Sequence, residues 1–482
     1  MKRILIISII LLFNSLFIKL FAQGYKINIH FDNIEDTNIV SIKNTDVYLG
    51  YYFGDKQYAY DTTYIDEKGN GVFKGDSLPA GLYFILTPKN DFFEIIIGED
   101  KFFSVSTKYE GNAKSLTKNL KSKGSKDMDV YINYQNFMMH QSEIAITLRK
   151  ELKDADKKRK EEIKDSLMIL QKEVKAEWDE IIKKYPKSLL ASILLCNKEI
   201  EVPDPPKDKN GNIIDSAFQY KYYKKHYFDY VNFADARLLR TQFYYYKIMR
   251  YFDKIIIPIP DTINKECKMV LDKASVNTDV FKYTLQILFN KYNSSNIMGM
   301  DKVFVFLAEN YYLNGKAPWA DSAWLEKVKK RANDLKPNLL GNKAPDIKLL
   351  SPDNEFISLY LINAEYTILF FYEPGCGHCK KATPKMKALS DKYWEKGVEV
   401  LGIYTQYEKE KWLKFIKSQH LENWINGWDP YNQSNFRHNY DVTATPTIYL
   451  LDKDKKIIGK RIDIETLEKI LENEFKNKEQ KK

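Results

Sequence analysis

Two cysteines three positions apart are the residues of this chain whose type and spacing point most directly to chemistry. Cys376 and Cys379 enclose a Gly-His dipeptide, and a continuous apolar segment, 366–372, precedes them. Residues 380–394 have a helix-forming composition, so the pattern predicts a strand, a short turn and a helix that opens on the cysteine pair. Unpaired N–H groups and the helix dipole at such a position favour a thiolate over a thiol.

The chemistry that this spacing serves is thiol–disulfide exchange. A thiolate at Cys376 attacks a disulfide sulfur, and Cys379 lies within one helical turn, where it resolves the mixed disulfide. His378 stands between them and stabilises the thiolate when its ring is protonated. Half of a zinc site, a structural disulfide and a peroxidase cysteine are the alternatives. A structural zinc site needs four ligands, and the sequence has no second closely spaced cysteine pair.

A second segment, around Thr445 and Pro446, supports a redox function. Thr445 and Pro446 directly precede a predicted strand at 447–451, and a turn at 452–456 leads to a second strand that begins at 457. A proline that heads a strand is tolerated at few places, and a cis bond in a tight turn is one of them.

The composition limits the class of protein. A chain of 482 residues is too long for one ordinary domain, and its hydrophobic content of 44% is sufficient for real cores. The formal net charge is +10, but the lysines alternate with acidic residues, as in 149–175, which is typical of solvated helix faces rather than a nucleic-acid surface. We therefore predict no nucleic-acid partner.

The two remaining cysteines are isolated. Cys196 stands in an apolar run and Cys267 has no cysteine near it in the sequence. A lone buried cysteine usually behaves as a small hydrophobic residue. A bridge between the two is left open, because spacing alone does not settle it.

The N-terminus has the pattern of a secretory signal peptide. Lys2 and Arg3 precede an apolar segment at 4–13, and the stretch 20–22 before Gln23 is the predicted cleavage site. We predict that residues 1–22 direct export to the periplasm or cell envelope. The alternative is an uncleaved anchor, but polar residues at 14, 15 and 19 interrupt the apolar run.

Three domains are expected after this segment. Residues 23–120 alternate with period two and contain turn signals, which predicts a small antiparallel β-sandwich. Residues 127–336 show apolar positions three and four apart and predict an all-α domain. Residues 337–482 alternate strands and helices and predict an α/β domain.

The last of these regions resembles a known family. Residues from about 341 to 475 are similar to the thioredoxin-like domains of the TlpA kind and of the AhpC/TSA group. The resemblance rests on the entry motif 341–346, the Cys-Gly-His-Cys site, Pro384 in the following helix and the Thr445–Pro446 pair. The two upstream regions resemble uncharacterised domains that precede such domains in exported bacterial proteins.

The resemblance implies a thioredoxin fold and an exported thiol-disulfide oxidoreductase. Its partners would be protein dithiols or disulfides and an envelope redox partner, with no cofactor and no metal. Membrane contact would occur only through the signal peptide or a redox partner. Cys376 and Cys379 would be catalytic. Thr445 and Pro446 would shape the groove that receives a partner's extended cysteine segment, and His378 would tune the thiolate.

Departures from the family leave the redox direction undecided. The residue before Cys376 is glycine rather than tryptophan, and Phe370 stands where thioredoxins carry a buried aspartate. Ala382 stands where the cytochrome c maturation reductases carry a glutamate. The usual proton acceptor for Cys379 is therefore missing, and Glu373 is the candidate replacement.

Two other functions are weighed against this one. A thiol peroxidase of the AhpC/TSA type shares the entry motif, but Glu373 occupies the position where peroxidases place a threonine. A non-enzymatic protein that binds a partner through its first two domains is the other alternative. An inert platform has no need of two closely spaced cysteines, which argues against it.

Overall fold

The computed structural model describes residues 24–32 and 42–480. The predicted signal peptide, 1–22, lies outside these residues. Two compact units share the chain: one ends at Ile256 and also takes up Lys273–Phe281, and the other comprises Ile257–Asp272 and the chain from Lys282 onward. Among the described helices, none has both the length and the apolar character that crossing a membrane requires. The predicted boundaries at 120, 127 and 336 stay predictions.

The first unit begins with two four-stranded sheets, whose strands are β1 Tyr25–Phe31, β2 Thr45–Phe53, β3 Lys56–Ile65, β4 Asn70–Gly75, β5 Gly81–Leu86, β6 Phe92–Ile97, β7 Phe102–Thr107 and β8 Lys121–Lys123. The strand orders are β4-β1-β7-β8 and β3-β2-β5-β6. Alternating apolar residues of each sheet are buried, and the rings of Phe31 and Phe93 meet between the sheets at 6.4 Å. The predicted β-sandwich is confirmed.

One detail of the sandwich differs from the prediction of an antiparallel fold. Strand β1 pairs antiparallel with β4 but parallel with β7, so that Ile27 lies opposite Phe103. A period-two pattern specifies which side chains are buried but not the direction of the neighbouring strand. The direction depends on the connection, which the alternation does not reveal.

The central region is helical, as predicted, and its helices are α1 Ala113–Lys118, α2 Lys126–Asp154, α3 Lys157–Lys184, α4 Leu189–Asn197, α5 Phe218–His226, α6 Phe243–Arg250, α7 Pro260–Ala274, α8 Thr278–Asn293, α9 Asp301–Leu307 and α10 Ser322–Leu335. Side-chain oxygens cap several of them: Ser125, Asp156 and Ser188 each accept a hydrogen bond from a backbone N–H in the first turn. Single π turns continue α6 and α9.

Apolar and aromatic spacing predicts continuous helices over 228–252 and 270–292, and the structure corrects both. The segment 228–252 is helical only from Phe243, after a short 3₁₀ turn at Ala236–Arg240. The segment 270–292 is divided between α7 and α8, with a break at 275–277. Aromatic and apolar residues at helical spacing occur in buried turns as well as in helices, so the spacing alone did not locate these breaks.

The C-terminal region is a seven-stranded sheet with helices, formed by β9 Lys348–Leu350, β10 Phe356–Ser358, β11 Tyr366–Tyr372, α11 Gly377–Tyr393, β12 Val398–Tyr404, α12 Lys409–Ser418, β13 Ile425–Trp428, α13 Phe436–Asn439, β14 Thr447–Asp452, β15 Ile457–Lys460 and α14 Ile464–Gln480. The strand order is β10-β9-β13-β12-β11-β14-β15. Strand β11 is parallel to β12 and antiparallel to β14.

Strand β11 carries the core of this region. All seven of its residues are buried, which explains the continuous apolar run in the sequence. Phe370 and Tyr372 face one cluster of buried side chains, and Leu369 and Phe371 face the other. With helices in sequence between the strands and three parallel strands, β11, β12 and β13, inside a mixed sheet, this is the predicted α/β thioredoxin-like fold.

Candidate redox site

The start of α11 positions the two active-site cysteines. The chain leaves the carboxyl end of β11, turns through 373–375 and enters the helix at Gly377, with Cys376 as its N-cap residue. The Cys376 backbone is extended, and its sulfur accepts a hydrogen bond from the backbone N–H of Cys379 at 3.3 Å. A sulfur atom therefore takes the place that serine or aspartate oxygens take at other helix starts.

Its surroundings make Cys376 the more acidic of the two thiols. Desolvation alone would raise the pKa of Cys376. The hydrogen bonds from the Cys379 N–H, the Cys379 thiol, the Thr445 side chain and the His378 N–H outweigh it and lower this pKa below its ordinary value. Donors that point at the sulfur stabilise the thiolate, and the sulfur is partly exposed to solvent.

Cys379 has the opposite character. Its side chain is fully buried in the cluster that includes Phe370 and Tyr372. Burial raises the pKa of the Cys379 thiol well above its ordinary value, and the nearby Cys376 sulfur adds to the effect. Of the two sulfurs, the partly exposed Cys376 therefore forms a thiolate more readily, and the buried Cys379 stays a thiol more readily.

The loop before β14 completes the site. Because β14 pairs with β11, with Thr447 opposite Phe371, the residues before Thr447 lie at the edge where β11 delivers the cysteines. The Thr445–Pro446 peptide bond is cis. The Cys376 thiol donates to the Thr445 carbonyl oxygen at a sulfur–oxygen distance of 3.3 Å. Residues 69 positions apart in the sequence therefore meet here.

The other two predicted site residues, His378 and Glu373, contact the cysteine sulfurs through their backbone N–H groups. The His378 side chain is exposed, while its backbone N–H bonds to the Cys376 sulfur. The Glu373 carboxylate accepts from the Gln406 side chain at 2.6 Å, and its backbone N–H is a partner of the Cys379 sulfur. The role of Glu373 as proton acceptor for Cys379 stays a prediction, and its carboxylate bonds to the amide of Gln406.

Sequence reasoning missed a buried pair next to Cys379. The Trp412 indole N–H donates to the Tyr372 hydroxyl at 2.9 Å, and both side chains belong to the same buried cluster as Cys379. Burial raises the pKa of Tyr372, and the neighbouring Cys379 contributes to this. The position of Tyr372 at the end of an apolar strand was the only sequence signal for this pair. The local sequence does not indicate that its partner is Trp412, 40 positions away.

The two isolated cysteines lie elsewhere. Cys196 is buried in α4 and Cys267 in α7, and both are free thiols. Burial raises the pKa of Cys196 to about 12 and raises that of Cys267 further. Both behave as small hydrophobic core residues, as their apolar sequence surroundings indicate.

Two family models match the chain. Residues 340–460 match the AhpC/TSA family, and residues 201–338 match a domain of unknown function, DUF5106. Among curated proteins, the thiol-disulfide oxidoreductase ResA of Bacillus cereus is 28% identical over 131 residues, which are 27% of this chain and 74% of that protein.

Two solved structures that are similar to parts of this chain are also described as thioredoxin-like or as a possible thiol-disulfide isomerase. A thioredoxin-like protein from Bacteroides caccae is 26% identical and aligns with 57% of this chain and 98% of its own, with a TM-score of 0.42. A domain of possible thiol-disulfide isomerase from Cytophaga hutchinsonii is 40% identical and aligns with 30% of this chain and 97% of its own, with a TM-score of 0.28.

The family match begins just before β9 and ends at the last residue of β15, so it covers the sheet, the cysteine pair and the cis-proline loop. The curated relatives that align with this region are named for the same chemistry that the helix start favours. Residues 340–460 therefore match the AhpC/TSA family and have a thioredoxin-like fold, and the chain that carries them is a thiol-disulfide oxidoreductase.

Proposed function

We propose that this protein exchanges disulfides with exported proteins through Cys376 and Cys379. The observation that carries the proposal is the asymmetry of the two sulfurs: Cys376 is partly exposed with a lowered pKa, whereas Cys379 is buried with a raised one. An attacking sulfur must be a thiolate that a substrate reaches, and a resolving sulfur must wait as a thiol until the mixed disulfide forms.

The reaction proceeds in two displacements. The Cys376 thiolate attacks one sulfur of a substrate disulfide, and the other substrate sulfur leaves as a thiolate that takes a proton from water. The Cys379 thiol then loses its proton and attacks the Cys376 sulfur, which releases the second substrate thiol. The substrate has gained two electrons, the protein holds a Cys376–Cys379 disulfide, and an external dithiol restores it. Oxidation of a substrate dithiol is the same sequence reversed.

The substrate is an extended polypeptide segment in this proposal. The cis Thr445–Pro446 segment lies beside the Cys376 sulfur, and the Thr445 carbonyl oxygen accepts a hydrogen bond from the Cys376 thiol. A peptide that carries the target cysteine lies along this segment and makes backbone hydrogen bonds to it, as in strand addition. Protein disulfides are therefore preferred over small ones.

Turnover of insulin disulfides with dithiothreitol as reductant tests the proposal. Cys376→Ala removes the attacking sulfur and abolishes turnover. Cys379→Ala leaves the first displacement intact, so it accumulates a mixed disulfide with insulin that is detected by mass spectrometry. Cys196→Ala is the matched control and keeps wild-type turnover, because its thiol is buried in another helix. Turnover in the Cys376→Ala variant would contradict the proposal.

The reduction potential of the pair decides its direction. A value near that of thioredoxin, about −270 mV, makes the protein a reductant of envelope cysteines. A value of about −120 to −180 mV makes it an oxidant or isomerase. Equilibration in glutathione buffers with thiol trapping measures it. Consumption of hydrogen peroxide by the reduced protein, faster than by the Cys376→Ala variant, would instead favour the peroxidase alternative.

The proposed location is the periplasm or cell envelope. It depends on the pattern of residues 1–22, which are outside the described part of the structure. A fusion of these residues to a reporter that is active only after export measures it. An inactive reporter would place the redox chemistry in another compartment and would remove envelope proteins as the substrates.

A further inference from the structure

A buried aspartate lies in the loop that leads to the cis-proline. Asp441 is 4% exposed, and its backbone has a left-handed φ of +47°. Its two carboxylate oxygens are held by different arginines: Arg331 Nη1 is 2.8 Å from Oδ1, and Arg461 Nη1 is 2.8 Å from Oδ2. Because an unpaired buried carboxylate is unfavourable, these two partners hold the loop in one arrangement.

One of the two arginines reaches further along the loop. Arg461 Nη2 donates to the Thr443 hydroxyl at 2.8 Å, and its backbone N–H donates to the Ile448 carbonyl on the other side of the cis bond. Thr445 is two residues beyond Thr443, and its carbonyl oxygen contacts the Cys376 sulfur. The ion pair at Asp441 is thus connected to the attacking sulfur through one short segment.

The other arginine comes from outside the AhpC/TSA match and inside the DUF5106 match at 201–338. Arg331 belongs to α10, which precedes the matched residues 340–460. On the same face of that helix, Asp334 lies 2.8 Å from His438 Nδ1. Asn338, just past the helix, donates to the carbonyl of the residue that follows His438 at 3.0 Å. Positions 331 and 334 share one face of α10 and Asn338 lies in the turn that follows, so α10 and this turn hold the chain at 438–441 at three points.

We propose that Arg331 and Asp441 are positioning residues, through which α10 fixes the cis-proline loop and sets the affinity for a polypeptide substrate. The inference rests on the proposed function, because it assumes that a substrate segment binds at Thr445 and Pro446. A preformed loop binds an extended peptide without first having to be ordered, and that ordering cost appears in the affinity. Neither residue touches the reacting sulfurs, so the sulfur chemistry itself does not depend on them.

Arg331→Gln tests the inference with Lys329→Gln as its matched control. The Arg331 side chain is 41% exposed, so its replacement leaves the core packed. Lys329 is on the same helix, is 58% exposed and lies 3.9 Å from Glu326 of that helix, so its replacement removes the same charge without touching the loop. Arg331→Lys is the conservative variant, since lysine keeps the charge but not the guanidinium geometry.

The expected result is a split between two substrates. In Arg331→Gln, KM for insulin rises by about threefold to tenfold, while kcat for insulin keeps its wild-type value. The rate with a small substrate, 2-hydroxyethyl disulfide, also stays at the wild-type value. KM for insulin rises similarly in Arg461→Gln and less in Arg331→Lys. In Lys329→Gln, KM equals that of the wild type. An unchanged KM in Arg331→Gln, an equal rise in Lys329→Gln, or a loss of rate with both substrates overturns the inference.

Amide hydrogen exchange gives a reading that does not require turnover. Exchange at 440–445 is at least about tenfold faster in Arg331→Gln than in wild type or Lys329→Gln, because the loop opens more often. Equal exchange in all three proteins overturns the inference. The proposed function fails separately, through an active Cys376→Ala variant, so the two failures are distinguished.

Discussion

The four cysteines of this chain lie in two kinds of surroundings. Cys196 and Cys267 are within helices, fully buried, with pKa values raised by desolvation. Cys376 caps a helix at the end of a buried strand, and N–H donors lower its pKa although it too is partly desolvated. Cys376 is also partly exposed, so its accessibility and the donors at the helix start together make it the reactive thiol. Cys379, the buried member of the pair, lies beside this reactive sulfur.

The largest expected effect of this difference is on alkylation rates. At about pH 8, iodoacetamide modifies Cys376 at least about 1,000-fold faster than Cys196, since each unit of pKa changes the thiolate fraction tenfold and burial adds to the protection. The pKa of Cys196 is about 12. Mass spectrometry of time points gives the rates. The rate at Cys376 rises with pH to a midpoint below that of a free cysteine, because its pKa is lowered.

Denaturation is the control for this prediction. In guanidinium, the four cysteines lose their distinct surroundings and react at similar rates. If Cys376 reacted no faster than Cys196 in the folded protein, the predicted difference between the two kinds of cysteine would be wrong.

A pair of serine variants sharpens the comparison in a second way. Cys196→Ser places a hydroxyl in an apolar core and lowers the free energy of unfolding by about 1–3 kcal/mol, with insulin reduction unchanged. Cys376→Ser abolishes insulin reduction and leaves stability within about 0.5 kcal/mol, because serine is itself a good N-cap. Urea titrations and turnover assays measure the two. If either variant lost both stability and insulin reduction, the structural role of one cysteine and the catalytic role of the other would not be separable in this protein.

The smallest expected effect concerns His378. Its side chain is exposed, and its backbone N–H, which bonds to the Cys376 sulfur, is retained in His378→Gln. The reduction potential therefore changes by less than about 30 mV, which is equivalent to about 1.4 kcal/mol. A larger change would show that the imidazole, rather than the helix start, governs the thiolate.

The sequence predicted those parts of the molecule that depend on neighbouring residues. Strand β11 and the helix after it follow from an apolar run, a turn and the cysteine spacing, so both appear where the local pattern placed them. The sandwich and the helical middle follow from period-two and helical spacing. The break between α7 and α8 and the parallel pairing of β1 with β7 did not follow, because connections and neighbours decide them.

The site was predicted unevenly for the same reason. Cys376, Cys379, Thr445 and Pro446 carry recognisable local patterns, and the structure brings them together at one edge of the sheet. The Trp412–Tyr372 hydrogen bond joins residues 40 positions apart, and the Arg331–Asp441 pair joins residues 110 apart. Tertiary packing creates such pairs, and no short-range spacing rule identifies them.

The two arginines at Asp441 also limit how freely this module is exchanged between proteins. A graft that starts at residue 340, where the family match begins, carries Arg461 and leaves Arg331 behind. The transplanted aspartate then keeps a partner on one oxygen and faces water or a foreign surface with the other. The segment that keeps both ion pairs at Asp441 is therefore longer than the AhpC/TSA match by one helix, and fusions that preserve Ser322–Leu335 retain Arg331.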